Sequence, residues 1–134
     1  MIMALDIGFR RVGVALTDIS EQIVYPYATL NNRGVQKLLP QVLEICIIKE
    51  VKMTIIGLPL LSDGSWGEIA RLSQRIHEDL SREGHKSVLW DETYSTREVY
   101  NFVQGKIKVR KAKNKGLVDQ LAAGRILESY LNRA

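Results

Sequence analysis

The chain has 134 residues and a mass of 15.2 kDa, of which 46% are hydrophobic and 25% charged. That supports one core and excludes both wholesale disorder and a fold built from two full lobes around a cleft. One cysteine, Cys46, excludes an intrachain disulfide and a Cys-rich zinc centre, and the net charge of +4 is unevenly spread.

In chain order, residues 1–6 form an apolar run ending before Gly8, and residues 12–17 form a second. The short interval predicts a tight hairpin, with Gly8 free to take a positive φ. Residues 22–30 read as a third strand, with Pro26 marking an edge or a bulge. Residues 35–50 carry Leu38, Leu39, Val42, Leu43 and Cys46 at helical spacing, and Pro40 must kink that helix or mark its start. Residues 53–58 form a buried strand. Ser65 with Glu68 reads as a capping box for a helix whose inward stripe is Ile69, Leu72, Ile76 and Leu80. A strand over 87–90, a helix capped by Ser95 and Glu98 and ending near Gly105, and a helix over 116–132 complete the order βββαβαβαα. This is an α/β domain with a mixed five-stranded sheet and helices packed on it. No basic n-region precedes an apolar stretch, and no apolar run approaches the ~20 residues of a membrane helix. A soluble, cytoplasmic single domain over 1–134 with no membrane partner is expected.

Residues 1–60 carry a charge of +1, residues 61–105 carry −3 and residues 106–134 carry +6. Lys106, Lys108, Arg110, Lys111, Lys113 and Lys115 supply most of the last excess, with no acid among them. Such a run either gathers phosphates by counterion release or is a solvated loop.

Three acidic positions gain interest from their placement. Asp6 ends the first strand and Asp91 and Glu92 follow the 87–90 strand, where ligands gather at the carboxyl edge of helix-covered sheets. Alternation along a strand allows only one of Asp91 and Glu92 to meet Asp6. Asp119 falls on the apolar side of the last helix with Ala123, Ile126, Leu127 and Tyr130, opposite Arg125, Glu128, Ser129 and Asn132. A carboxylate in an apolar stripe needs compensation, unless it sits in the first turn, where the helix dipole favours it. Converging carboxylates without His or Cys suit Mg²⁺ or Mn²⁺ and phosphodiester hydrolysis. His77 and His85 read as structural or solvated.

These residues carry a resemblance over essentially the whole chain. The stretch Leu5-Asp6-Ile7-Gly8-Phe9-Arg10-Arg11-Val12-Gly13-Val14-Ala15 resembles the opening motif of the YqgF/RuvX family of RNase H-like nucleases. Gly57-Leu58-Pro59-Leu60 with Asp63-Gly64-Ser65, then Asp91-Glu92-Thr93-Tyr94-Ser95-Thr96, then Val118-Asp119-Gln120-Leu121-Ala122-Ala123 follow in the family's order. The resemblance implies an RNase H-like fold and a metal-dependent nuclease, using two Mg²⁺ or Mn²⁺ ions held by Asp6, Asp91 or Glu92, and Asp119. It implies a nucleic-acid substrate, with maturation of the 5′ end of precursor 16S rRNA favoured over cleavage of branched DNA junctions. Arg10, Arg11 and the basic segment would hold its backbone. Thr93 stands where the family usually has Arg, removing a bidentate phosphate donor.

Two rivals make different demands. An actin-like kinase or ATPase also opens with an Asp-x-Gly hairpin, but closes two lobes on its nucleotide. A non-catalytic nucleic-acid-binding module would use the basic segment without the acids, although 7% aromatic residues argue against base stacking. Monomer and homodimer are both open.

Overall fold

The computed structural model describes residues 1–91 and 115–133. Strands β1 (Ile2–Ile7), β2 (Arg11–Thr17) and β3 (Val24–Asn31) form an antiparallel meander. Helix α1 (Val35–Ile48) leads to β4 (Met53–Leu58), and α2 (Glu68–Arg82) leads to β5 (Ser87–Asp91). Helix α3 (Lys115–Leu131) follows. The five strands form one sheet in the order β3-β2-β1-β4-β5, with β4 parallel to both β1 and β5. The helix expected after Ser95 lies outside the described residues.

Side-chain alternation divides the core between the two faces of the sheet. Met3, Leu5, Ile7, Val12, Val14, Leu16 and Ile56 pack with Leu38, Val42, Ile76 and Leu80 beneath α1 and α2. Ile2, Ala4, Ala15, Met53 and Ile55 pack with Ala123, Ile126, Leu127 and Tyr130 of α3. Burial of Ile126 and Leu127, both almost fully enclosed, contributes about 2 kcal/mol each. Among the described residues no helix is long and apolar enough to cross a membrane.

Two local expectations need correction, and of the two alternatives at Pro40 the structure excludes a helix start there. Gly8 does not take a positive φ; it is required because a Cβ there would stand 2.9 Å from the Arg11 carbonyl oxygen that its own N–H binds. Ser65 caps no helix: Gly67 is the N-cap, and the Ser65 hydroxyl donates to the Asp63 carboxylate in a turn with Gly64 at positive φ. Helix α1 begins at Val35 and runs through Pro40. Pro40 and Gln36, whose carbonyl loses its usual partner there, are both exposed to water.

Helix α3 reaches the sheet because β2 offers it no side chain at Gly13. A Cβ on Gly13 would lie 1.9 Å from the Asp119 carbonyl oxygen and 2.3 Å from its carbon. The same helix grips β3 through Thr29, whose hydroxyl donates to the Gly116 carbonyl at 2.7 Å and accepts from Gln120 Nε2 at 3.0 Å. Gly124 is different, since a Cβ there meets only Val24 Cγ1 at 3.6 Å and Ala15 Cβ at 3.9 Å. Opposite signs are therefore expected from two glycine substitutions in urea denaturation. Gly13→Ala forces main chain apart and loses about 3 kcal/mol. Gly124→Ala fills available space inside a helix and gains up to about 1 kcal/mol.

Candidate metal centre

The site begins with one row of residues across the sheet. Asp6 pairs with Gly13, and Gly13 with Thr29, so all three stand on the α3 face. The bare Gly13 seats the backbone of Asp119 beside Asp6. Arg11, two residues before Gly13 on the same face, directs Nε to Asp119 Oδ2 at 2.6 Å. Their side chains are 40% and 23% exposed, so this ion pair is only partly shielded.

Burial, and next the neighbouring Asp119 charge, push the Asp6 carboxyl up from 3.8 to about 6. Among the described residues the Arg11 guanidinium bonds Asp119 and not Asp6, so the two neighbouring carboxylates keep a local excess of negative charge. No third His, Cys, Asp or Glu completes a cluster among the described residues. Asp119 lies in the second turn of α3, with no acid in the first. The helix dipole therefore does not account for it; Arg11 does.

Asp91 ends β5 opposite Leu58, at the same edge of the sheet as Asp6. Val88 and Trp90 pack on the α3 side, whereas Leu89 packs on the α1/α2 side. By this parity Asp91 belongs to the face away from Asp6. Glu92 lies outside the described residues, as do Lys106, Lys108, Arg110, Lys111 and Lys113. Lys115 opens α3. Arg10 is exposed at the turn between β1 and β2.

The two histidines stand at the opposite end of the sheet. His85 Nε2 is 2.8 Å from the Thr54 hydroxyl and 3.5 Å from Cys46 Sγ, while His77 Nδ1 is 2.6 Å from the Ser87 hydroxyl. They tie helix α2 and its exit to the starts of β4 and β5. Sequence reasoning missed Gly13 as the seat of Asp119. It also missed Asn32, whose backbone N–H donates to the Arg10 carbonyl and whose side chain donates to the Gly8 carbonyl.

The raised Asp6 pKa fixes a sign for stability. Between about pH 4 and 6 the folded chain keeps a proton that the unfolded chain has released. This contribution is complete below the unfolded value and is lost as pH rises through about 6. With a chelator present, the wild type is expected to lose about 3 kcal/mol from this group across that window. Asp6→Asn should remove that slope and melt higher at neutral pH, as read by thermal denaturation at a series of pH values.

The family model described as "RuvX: Holliday junction resolvase" matches residues 1–133. A protein named "Putative pre-16S rRNA nuclease" from Thermoanaerobacter pseudethanolicus is 33% identical over 98% of this chain and 95% of its own length. One of the same name from Nitrosospira multiformis is 30% identical over 98% and 87%. Among solved structures, the Fowlpox virus resolvase bound to Holliday junction DNA aligns with a TM-score of 0.59 at 13% identity, covering 97% of this chain and 95% of that one. RuvC of T. thermophilus with its Holliday junction substrate aligns at 0.58 and 12%, covering 98% and 97%. These likenesses show the RNase H-like fold. The match over nearly the whole length places this chain in the RuvX family.

Proposed function

We propose that this chain is a metal-dependent endonuclease that hydrolyses phosphodiester bonds in maturing the 5′ end of precursor 16S rRNA. The observation that carries the chemistry is the Asp6 carboxyl, half-buried beside Asp119 at the carboxyl edge of the sheet and pushed up to about 6 there. The names of the relatives support the substrate.

The residues fit a hard divalent cation. Their donors are all carboxylate oxygens, and a cation would relieve the charge excess that holds Asp6 partly protonated. Asp6 and Asp119 would hold Mg²⁺ or Mn²⁺, in a pair of sites completed by Glu92, the member of the Asp91/Glu92 pair that strand parity favours. When bound, such ions lower the pKa of an attacking water and stabilise the leaving oxygen of an in-line displacement. Asp6 supplies the fixed negative charge from a rigid strand. Arg11 holds Asp119 in place until a cation competes for it, and its guanidinium can then turn to a substrate phosphate. Arg10, at the same turn, adds a second positive charge.

The basic segment supports a backbone clamp by where it is tethered. The chain leaves the sheet at Asp91 and returns as α3 at Lys115, and both points lie at the acid edge. Lys106, Lys108, Arg110, Lys111 and Lys113 fall between these two points in sequence, and Lys115 opens α3. A second reading, cleavage of branched DNA, is favoured by the Holliday junctions bound in the two structural neighbours.

The deciding experiment offers the purified chain, with Mn²⁺ or Mg²⁺, a precursor 16S rRNA 5′ fragment and a four-way DNA junction side by side. Cleavage of the RNA is expected to vanish in Asp6→Asn while binding persists. Paired symmetric cuts in the junction alone would transfer the assignment to branched DNA. Binding without cleavage of either would leave a nucleic-acid-binding module. Replacing Lys111 and Lys113 by Ala should reduce the slope of log affinity against log salt by about 1 to 2.

A further inference from the structure

The acids and arginines leave two side chains at the same edge without a role. Among the described residues, Phe9 and Trp66 are the exposed aromatics, at 64% and 37%. A scattered exposed apolar residue is ordinary; the placement of this pair is not. Phe9 stands three residues beyond Asp6 and two before Arg11. Trp66 closes the loop that leaves β4, the parallel neighbour of β1. Of the exposed aliphatic side chains, Ile19, Ile23, Ile47 and Ile48 lie at the far end, around the β2–β3 turn and the end of α1, and Leu61 is a neighbour of Trp66 in its loop, without a flat face to offer. Tyr25, Tyr27, Trp90 and Tyr130 pack against the core.

Neither aromatic is exposed by slack chain. The Phe9 turn is tied by Gly8 N–H to the Arg11 carbonyl, Asn32 N–H to the Arg10 carbonyl, and Asn32 Nδ2 to the Gly8 carbonyl. The Trp66 loop is closed by the bridge between Leu60 and Trp66 and by Leu61 N–H to the Ser65 carbonyl at 2.9 Å. Two aromatic side chains, Phe9 mostly exposed and Trp66 about one-third exposed, thus stand on the loops that flank the strand end carrying Asp6. Nucleobases stack on such rings, and they do so when they are outside a duplex.

We infer that Phe9 and Trp66 are stacking platforms for unpaired bases flanking the cleaved phosphodiester, so that the site takes single-stranded or splayed RNA over continuous duplex. This rests on the nuclease reading above. The exposed Arg10 beside Phe9 and the Arg11 guanidinium provide the matching charge for the phosphates between those bases.

The test is a binding titration of the full chain, in chelator, with a short unstructured RNA and with the same RNA annealed to its complement. Phe9→Ala and Trp66→Ala are each expected to weaken single-strand binding about tenfold, the worth of one stacked base, with duplex binding unchanged. Phe9→Tyr and Trp66→Phe should restore affinity. Single-stranded RNA should quench tryptophan fluorescence in the wild type and not in Trp66→Phe, where Trp90 remains as the internal reference. Circular dichroism melting establishes that each variant is folded. Wild-type affinity in both alanine variants, or equal losses on single strand and duplex, would overturn the stacking role alone. A wild type that binds neither RNA would overturn the nuclease reading with it.

Discussion

The arrangement depends on one contact between main chains. Gly13 meets the Asp119 carbonyl at a distance that no side chain could occupy. Because Gly13 pairs with Asp6 on one side and Thr29 on the other, the helix is seated on a row whose members have fixed positions. Asp119 is therefore brought to Asp6 by backbone geometry. The ladder also fixes Arg11, since two residues along a strand return to the same face. One unsubstituted strand position thus sets the place of Asp119 against an acid and a base that lie more than a hundred residues before it in sequence.

That arrangement opposes stability locally. A carboxyl pushed up to about 6 by burial and by a neighbouring carboxylate destabilises the folded chain whenever it is ionised. The cost is carried by the two cores, where Met3, Leu5, Leu16, Ile55, Ile56, Ile126 and Leu127 are almost wholly enclosed. A structural acid in this position would have gained a full partner of its own. Arg11 is instead spent on Asp119, and Asp6 keeps its deficit. Such a deficit is useful where a cation is to be attracted.

The fold was largely legible because its strands are apolar runs of the right length and its helices carry apolar stripes at helical spacing. The sides of α3 were legible for the same reason: Ala123, Ile126, Leu127 and Tyr130 are all buried. What periodicity could not supply was contact between distant elements. Gly13 lies inside a strand, where local rules count glycine only as a weakness, and nothing nearby in sequence names the helix that rests on it. Arg11 could be read as a free phosphate ligand because its partner is 108 residues away. Ser65 and Glu68 satisfied a local capping pattern, yet the helix starts after Gly67 and Ser65 serves the preceding turn.

The aromatic content shows the same difference between composition and placement. A low overall fraction speaks against a protein that binds long single strands along a row of stacked bases. A cleavage site has a smaller requirement, since only the nucleotides next to one phosphate must be held. Two exposed rings, one on each loop beside the strand end bearing Asp6, can meet that requirement when turns hold them before the substrate arrives. Here the Asn32 bonds and the Leu60–Trp66 bridge provide that rigidity. In the proposed function, the basic run that precedes α3 in sequence would add attraction for the backbone independent of base identity. The proposed reading thus divides the labour: lysines and arginines would gather the polyanion, the aromatics would select unpaired bases, and the carboxylates would stand where the strand is then fixed.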